Sequence, residues 1–157
     1  MLVVEHSDAG ALGLVLNRPS ESKVGDAVPQ LTELTDAEDD VLVGGPVGQQ
    51  AVIVLADFED PAEAALIAFD SIGVLGGGAP SDELSAGVRR ARIFAGHSGW
   101  GPGQLDGELE RGDWILEPAR YSDAFTTDPD VLWSAVLERK GGSYALVARM
   151  PEDPSLN

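Results

Sequence analysis

Apolar positions along this chain come in short blocks separated by turn residues, not in long stripes. Leu2–Glu5 and Gly13–Asn17 read as two strands joined through Ser7-Asp8-Ala9-Gly10, where Asp and Gly supply turn chemistry. Arg18-Pro19-Ser20 closes the second strand, because proline has no N–H to give a central ladder. Val24–Leu31 fits a short helix interrupted near Pro29, and the polar, acidic stretch Thr32–Asp40 fits an exposed loop. Val41–Val43 and Ala51–Asp57 follow as strands, separated by Gly44-Gly45-Pro46-Val47-Gly48. Over Ala62–Ala68, Ala and Glu favour helix, whereas Phe69, Ile72 and Val74 within Leu66–Leu75 favour strand, so both readings stand.

Ser81 is placed to cap a helix that ends near Val88 or Arg90, with Asp82 and Glu83 in its first turn. Ala91–Ala95 is a strand feeding a loop with Gly at 96, 99, 101 and 103 around Trp100. Pro102 opens a helix to Glu110 that Gly112 stops, and Asp113–Glu117 reads as a strand. Asp128-Pro129 has the form of an N-cap and first helical position. The helix Pro129–Lys140 then turns Leu132, Trp133, Val136 and Leu137 inward and ends at Gly141-Gly142. Tyr144–Ala148 reads as a last strand and the residues from Pro151 as a loose tail. Hairpin-like pairs followed by β-loop-α-β, without a regular βαβ rhythm, predict an α+β domain with a mixed sheet. At 157 residues the chain fits one domain, expected over 1–150 with a tail over 151–157.

Composition changes this picture in two places. There is no cysteine, so disulfides, thiolate nucleophiles and thiolate metal sites are excluded. Net charge is −17, and residues 1–60 hold twelve Asp or Glu against Arg18 and Lys23, with fifteen against eight in the remainder. Such a surface repels nucleic acid and anionic lipid, so direct nucleic-acid binding is not expected. Nor is there a basic segment leading into an apolar signal core, or an apolar run of the ~18–20 residues that cross a bilayer. The expected location is cytoplasmic, with no membrane association.

Few motifs carry recognisable chemistry. Gly96-His97-Ser98-Gly99 approaches a nucleophile elbow, but Trp100 takes the place of its last glycine. A serine mechanism would need Ser98 with His6, since His97 is its neighbour and points away on an extended segment. Gly99-x-Gly101-x-Gly103 is not a dinucleotide fingerprint, and no lysine stands where a phosphate loop needs one. The amides of Gly103, Gln104 and Leu105 remain available to an anion at the start of the Pro102 helix. His6 has Glu5 and Asp8 beside it, yet two distant histidines match no zinc spacing, so no metal and no cofactor are expected. Arg89, Arg90 and Arg92 form the one dense basic cluster, read as a solvated helix end. Asn17 and Arg18 stand at a sheet rim, where Arg18 either pairs a carboxylate or recognises a ligand.

Three blocks taken together resemble a known family. They are Glu5-His6 leading to Gly13-Leu14-Val15-Leu16-Asn17-Arg18-Pro19; Gly44-Gly45-Pro46-Val47; and Phe94 through Leu105 with Glu108 and Gly112-Asp113-Trp114. In this order they are similar to the YqgE/AlgH family of bacterial cytosolic proteins. The resemblance implies a sheet bent into a pseudo-barrel with helices packed outside. It also brings a transcriptional-regulator label and no established reaction, so no catalytic residue is carried over. Family members have a further apolar segment before the Glu-His block, with a strand and an Asp-Pro turn. Its absence implies either a start upstream of Met1 or a missing piece of sheet, in which case Leu2–Glu5 presents an edge that favours dimerisation. The functional expectation is a ligand- or partner-binding regulatory protein, with a small molecule or a protein as partner. Its site would gather His6, Asn17, Arg18, Gly44, Gly45, Ser98, Trp100 and Gln104 where the three glycine-bearing blocks meet. The alternative is a serine-dependent hydrolase using Ser98 with His6.

Overall fold

Asp8 and Ala9 turn the chain in a two-residue hairpin, so that β1 (Leu2–Ser7) pairs antiparallel with β2 (Gly10–Leu14), Ser7 opposite Gly10. The computed structural model describes residues 1–77 and 85–150 of the chain. Next come β3 (Pro19–Lys23), a single helical turn α1 (Val24–Ala27) and a 3-10 turn at Pro29–Leu31. The break between these two turns falls at Val28, beside the expected proline. The acidic loop that follows buries Leu34 and leads into β4 (Asp40–Val43).

The centre of the sheet is built from two long strands, β5 (Val47–Phe58) and β8 (Val88–Trp100). Between them, Asp60 caps a 3-10 turn at Pro61–Glu63, accepting from the Ala62 N–H at 2.9 Å. The hairpin of β6 (Leu66–Phe69) and β7 (Ile72–Val74) follows, with Asp70 in the left-handed region at its turn. That resolves the mixed pattern of 62–75 in favour of strand, apart from the one capped turn. Strand order is β1-β2-β8-β5-β7-β6, with β4 running parallel to β8 and carrying β3 on its other side. The two ends of the path, β1 and β6, approach each other, so the mixed sheet curls into a nearly closed barrel.

Both faces of β8 are covered. Ala91 and Ile93 join Val54, Ala56 and Phe58 of β5 in a cluster with Val24, Val28, Leu31 and Leu34. On the alternate face Phe94 is fully buried opposite Leu42, and Leu55 is fully buried opposite Arg92. A strand buried on two sides is rich in apolar residues, and with Arg92 the only polar one over Ala91–Ala95 this part of β8 was legible from sequence.

The chain divides into two compact units, 1–115 and 116–157. The first ends with α2 (Gln104–Glu110) and the segment after it. The second holds α3 (Tyr121–Ala124), α4 (Pro129–Lys140) and α5 (Tyr144–Val147). Within it Arg139 clamps Asp123 through two 2.8 Å hydrogen bonds, and the Arg120 N–H donates to the same carboxylate at 2.9 Å. Burial pushes the Asp123 carboxyl up, but the Arg139 and Arg120 bonds outweigh it and hold the group below its ordinary range. Among the described residues, no helix is long and apolar enough to cross a membrane.

Several expected elements differ from those observed. The glycine-rich stretch after Ala95 is not a loop but the end of β8: His97 pairs with Val47, and Ser98–Trp100 pair with Gly13–Ala11. A left-handed Gly96, at φ +68°, lets the strand change partners from β5 to β2 without stopping. α2 starts at Gln104, two residues after Pro102, with Gly103 at its N-cap in the left-handed region. Asp113–Glu117 is not a strand, because Asp113 donates its N–H back to the Glu108 carbonyl at 3.0 Å and the segment follows the helix. Tyr144–Val147 is helical, closed by Ala148 N–H to the Tyr144 carbonyl at 2.9 Å. A contiguous Tyr-Ala-Leu-Val run carries no period, so either assignment fitted it. α4 buries Leu132 and Leu137 as expected, but Trp133 is half exposed. Asp128 precedes α4 without capping it through its side chain. Val88–Arg90 belongs to β8, so the helix expected from Ser81 stops before Val88; Ser81 and the tail from Pro151 lie outside the described residues.

Candidate functional site

Backbone contacts bring the three glycine-bearing blocks together. Val43 donates its N–H to the Arg18 carbonyl at 2.8 Å, Val15 to Gly44 at 2.8 Å, and Gly44 to Ala95 at 3.0 Å. Gly45 lies directly against the peptide joining His97 and Ser98, so closely that a Cβ there would overlap main-chain atoms. Gly44 faces the Gly96 carbonyl oxygen in the same way. These are approaches of the β4–β5 turn to β8 that leave no space for a ligand between them.

The side-chain cluster lies around Trp100. Its ring rests over Gly13 of β2: a Cβ on Gly13 would meet Trp100 Cζ3 and Met1 Sδ at 3.1 Å each. Trp100 donates its indole N–H to Glu108 Oε2 at 2.9 Å, and Trp114 donates to the same oxygen at 2.8 Å. The two indoles meet edge to face, with centroids 6.0 Å apart and planes at 73°. Gln104 completes the arrangement by donating to Glu108 Oε1 at 3.0 Å and accepting from the Gly101 N–H at 3.1 Å. Three donors on one carboxylate, Trp114 foremost and then Trp100 and Gln104, hold Glu108 below its ordinary carboxyl range. Glu108 is therefore a structural anion at neutral pH that fixes two aromatic rings.

His6 joins this cluster from β1, with Nε2 3.1 Å from Asp106 Oδ1 on α2. Trp100, Gln104 and His6 thus share the surface around α2, while Gly44, Gly45 and Ser98 are buried in the strand corner. Asn17 is half-buried at the rim of that corner. Arg18 is exposed, and among the described residues its side chain makes no ion pair or hydrogen bond. Ser98 has no hydrogen-bonded base among the described residues, and the His6 ring is engaged with Asp106. Among those residues, no group of three or more metal-ligating side chains is placed to hold an ion.

Asp106, Glu108 and Trp114 were absent from the expected site. The spacing of Gln104 and Glu108, one helical turn apart, was the available signal for the first shared contact. A second missed cluster is Asp57 on β5, 5% exposed, which accepts from Arg89 Nε at 2.9 Å, from Arg89 Nη2, and from Ser71 Oγ at 2.6 Å. The Arg89 guanidinium, outweighing burial and aided by Ser71, holds its carboxyl below the usual range.

Residues 1–145 match the family model described as AlgH-like, DUF179. The chain belongs to the AlgH-like family. It is 39% identical over 160 residues to a UPF0301 protein of Thermobifida fusca, covering 96% of this chain and 81% of the relative. A UPF0301 protein of Mycobacterium avium is 41% identical over 160 residues, covering 99% of this chain and 80% of the relative. Among solved structures, protein DIP2367 of Corynebacterium diphtheriae superposes with a TM-score of 0.81 at 28% identity, covering 94% of this chain and 80% of that one. The solution structure of AlgH from Pseudomonas aeruginosa gives 0.64 at 27% identity, with 96% and 83% covered. The AlgH-like match runs through both compact units, so the α2 cluster and the α4 helix belong to one family pattern.

Proposed function

We propose that this AlgH-like chain is a cytoplasmic binding protein that regulates through a ligand or protein partner, and that it is not an enzyme. The observation that carries the reading is the pair of indoles fixed by Glu108, with Trp114 still 39% exposed. Rigid aromatic surface that stays open to solvent favours binding, since the ordering cost is met before the partner arrives. The site centres on Trp100 and Gln104 with His6 at its edge, and the Arg18, Asn17, Gly44, Gly45 and Ser98 corner forms its frame. Regulation by direct DNA contact is disfavoured by the net charge of −17.

Thermal melting against a metabolite panel tests this reading. A ligand present at a hundred times its Kd stabilises by about 2.7 kcal/mol, or roughly 5–10 °C for a chain of this size. The expected result is such a shift in the wild type and its loss in Trp100→Ala, provided the variant still melts cooperatively. A shift retained in the variant would move the site elsewhere. The hydrolase alternative makes a separate prediction: a fluorophosphonate probe should label Ser98. With Ser98 buried and no base bonded to it among the described residues, we expect no labelling, and stoichiometric labelling of Ser98 would reverse that expectation.

A further inference from the structure

The surface around the tryptophan pair has an apolar centre and an acidic rim. Val3 lies opposite Gly13 in the β1–β2 ladder and is 39% exposed. Gly13 brings no side chain of its own, so Met1 Sδ and the Trp100 ring close over it. Trp114 extends the strip at 39% exposure, and Ile115 follows it in the chain at 45%. The strip runs from the N-terminal strand across β2 to the segment after α2. Beside the indoles, α2 and the turn after it carry Asp106, Glu108, Glu110 and Asp113, with Arg111 2.8 Å from Asp113 and His6 3.1 Å from Asp106.

An apolar centre inside a charged rim is the anatomy of a protein-docking surface. Its sign selects the partner. Acidic segments are repelled, while lysine or arginine side chains gain from the rim carboxylates and from the indole faces. We propose that this surface docks a basic protein segment in which apolar side chains alternate with Lys or Arg, the apolar ones seating on the Val3–Trp114 strip. The proposal rests on the binding function argued above and names the class of partner.

The test uses the full chain and two synthetic twelve-residue peptides of equal charge, one alternating Lys with Leu and one alternating Lys with Ser. Binding is read by tryptophan fluorescence at 150 mM salt. The Lys–Leu peptide should bind at least tenfold tighter than the Lys–Ser peptide. Trp114→Ala should remove that advantage, and Val52→Ser, on exposed β5 surface, should not. Asp106→Asn together with Glu110→Gln should weaken binding severalfold and flatten its salt dependence. If Trp114→Ala fails to melt cooperatively, Val3→Ser carries the same expectation.

Equal binding of both peptides, or equal loss in Val52→Ser and Trp114→Ala, would reduce the interaction to net charge and overturn the proposal. A Trp100-dependent metabolite shift without Lys–Leu binding would remove this partner and leave the binding function standing. Neither response would remove both.

Discussion

Gly45→Ala should destabilise the chain by about 3 kcal/mol, at the upper end of what overpacking costs. Most small-to-large substitutions meet a side chain that can rotate away. A Cβ on Gly45 would instead meet the carbonyl carbon and oxygen of His97 and the amide nitrogen of Ser98, all main chain. Those atoms are held from two sides, because β8 pairs with β5 at His97 and with β2 at Ser98. Relief would require β8 to move away from the Gly44–Gly45 turn, breaking the Gly44 N–H to Ala95 bond at 3.0 Å. Urea unfolding should show a lower midpoint at unchanged slope, and the melting temperature should fall by roughly 6–12 °C. Gly101→Ala is the control, since a Cβ there meets nothing within 4 Å. A loss below about 1 kcal/mol for Gly45→Ala would mean that the corner slides, and that the meeting of the three blocks is looser than the contacts imply.

That corner is also where a sequence signal has more than one physical cause. Glycines at 44, 45 and 96 do mark close approach, but of the β4–β5 turn to β8 and not of protein to ligand. From sequence alone the two are indistinguishable, because both need an absent Cβ and neither names what fills the space. The same ambiguity hid the length of β8. Gly96 and Gly99 read as loop, yet a strand that changes partners needs a residue that can adopt positive φ where it bends, and Gly96 supplies it. The turn between β1 and β2 was legible because Asp8 is a local signal, although β2 runs over Gly10–Leu14 and not the expected Gly13–Asn17, and Pro19 opens β3 instead of closing β2; α4 was legible because Pro129 and Gly141 bracket it. The curl of the sheet was not: no local residue pattern records that β1 comes back to β6. It was available only through resemblance to the AlgH-like family, which residues 1–145 match.

The cluster around Glu108 was legible by half. Trp100 drew notice through its glycine neighbours, and Gln104 through its place at the head of a helix. Glu108 and Trp114 carried no mark as binding residues, since an acidic residue on a short helix ordinarily faces solvent. What joins them is the turn at Gly112, which returns the chain so that a second indole reaches the same oxygen as the first. A contact set by the path of a tight turn is not written in periodicity. Trp133 shows the converse case. Its position fitted an inward stripe, but α4 buries Leu132 and Leu137 and leaves the indole half exposed.

Arg89→Met should cost about 2–3 kcal/mol at neutral pH and less under mildly acidic conditions. Asp57 is 5% exposed and depends on Arg89 for both of its charge-assisted bonds, with Ser71 Oγ adding a third at 2.6 Å. Breaking a buried pair by removing one partner strands the other charge, which costs about 3–5 kcal/mol where both are buried. Arg89 is 44% exposed on its side chain, so the expected loss is set below that range. The pH dependence gives the diagnosis. In the wild type the Asp57 carboxyl sits below its ordinary value, so its contribution is complete above the unfolded pKa and is lost only as pH falls through the depressed one. Without Arg89, burial outweighs the one Ser71 bond and pushes the carboxyl up. The folded variant then takes up a proton before the unfolded chain does, and its stability rises as pH drops from 7 toward 5. The gap between wild type and variant should therefore narrow over that interval when followed by urea unfolding. Adding Asp57→Asn to the variant should recover about half of the loss at pH 7 and abolish the narrowing. A gap that stays constant from pH 7 to pH 5 would assign the cost to lost packing of the Arg89 stem, and Asp57 would not be the charge that Arg89 holds in place.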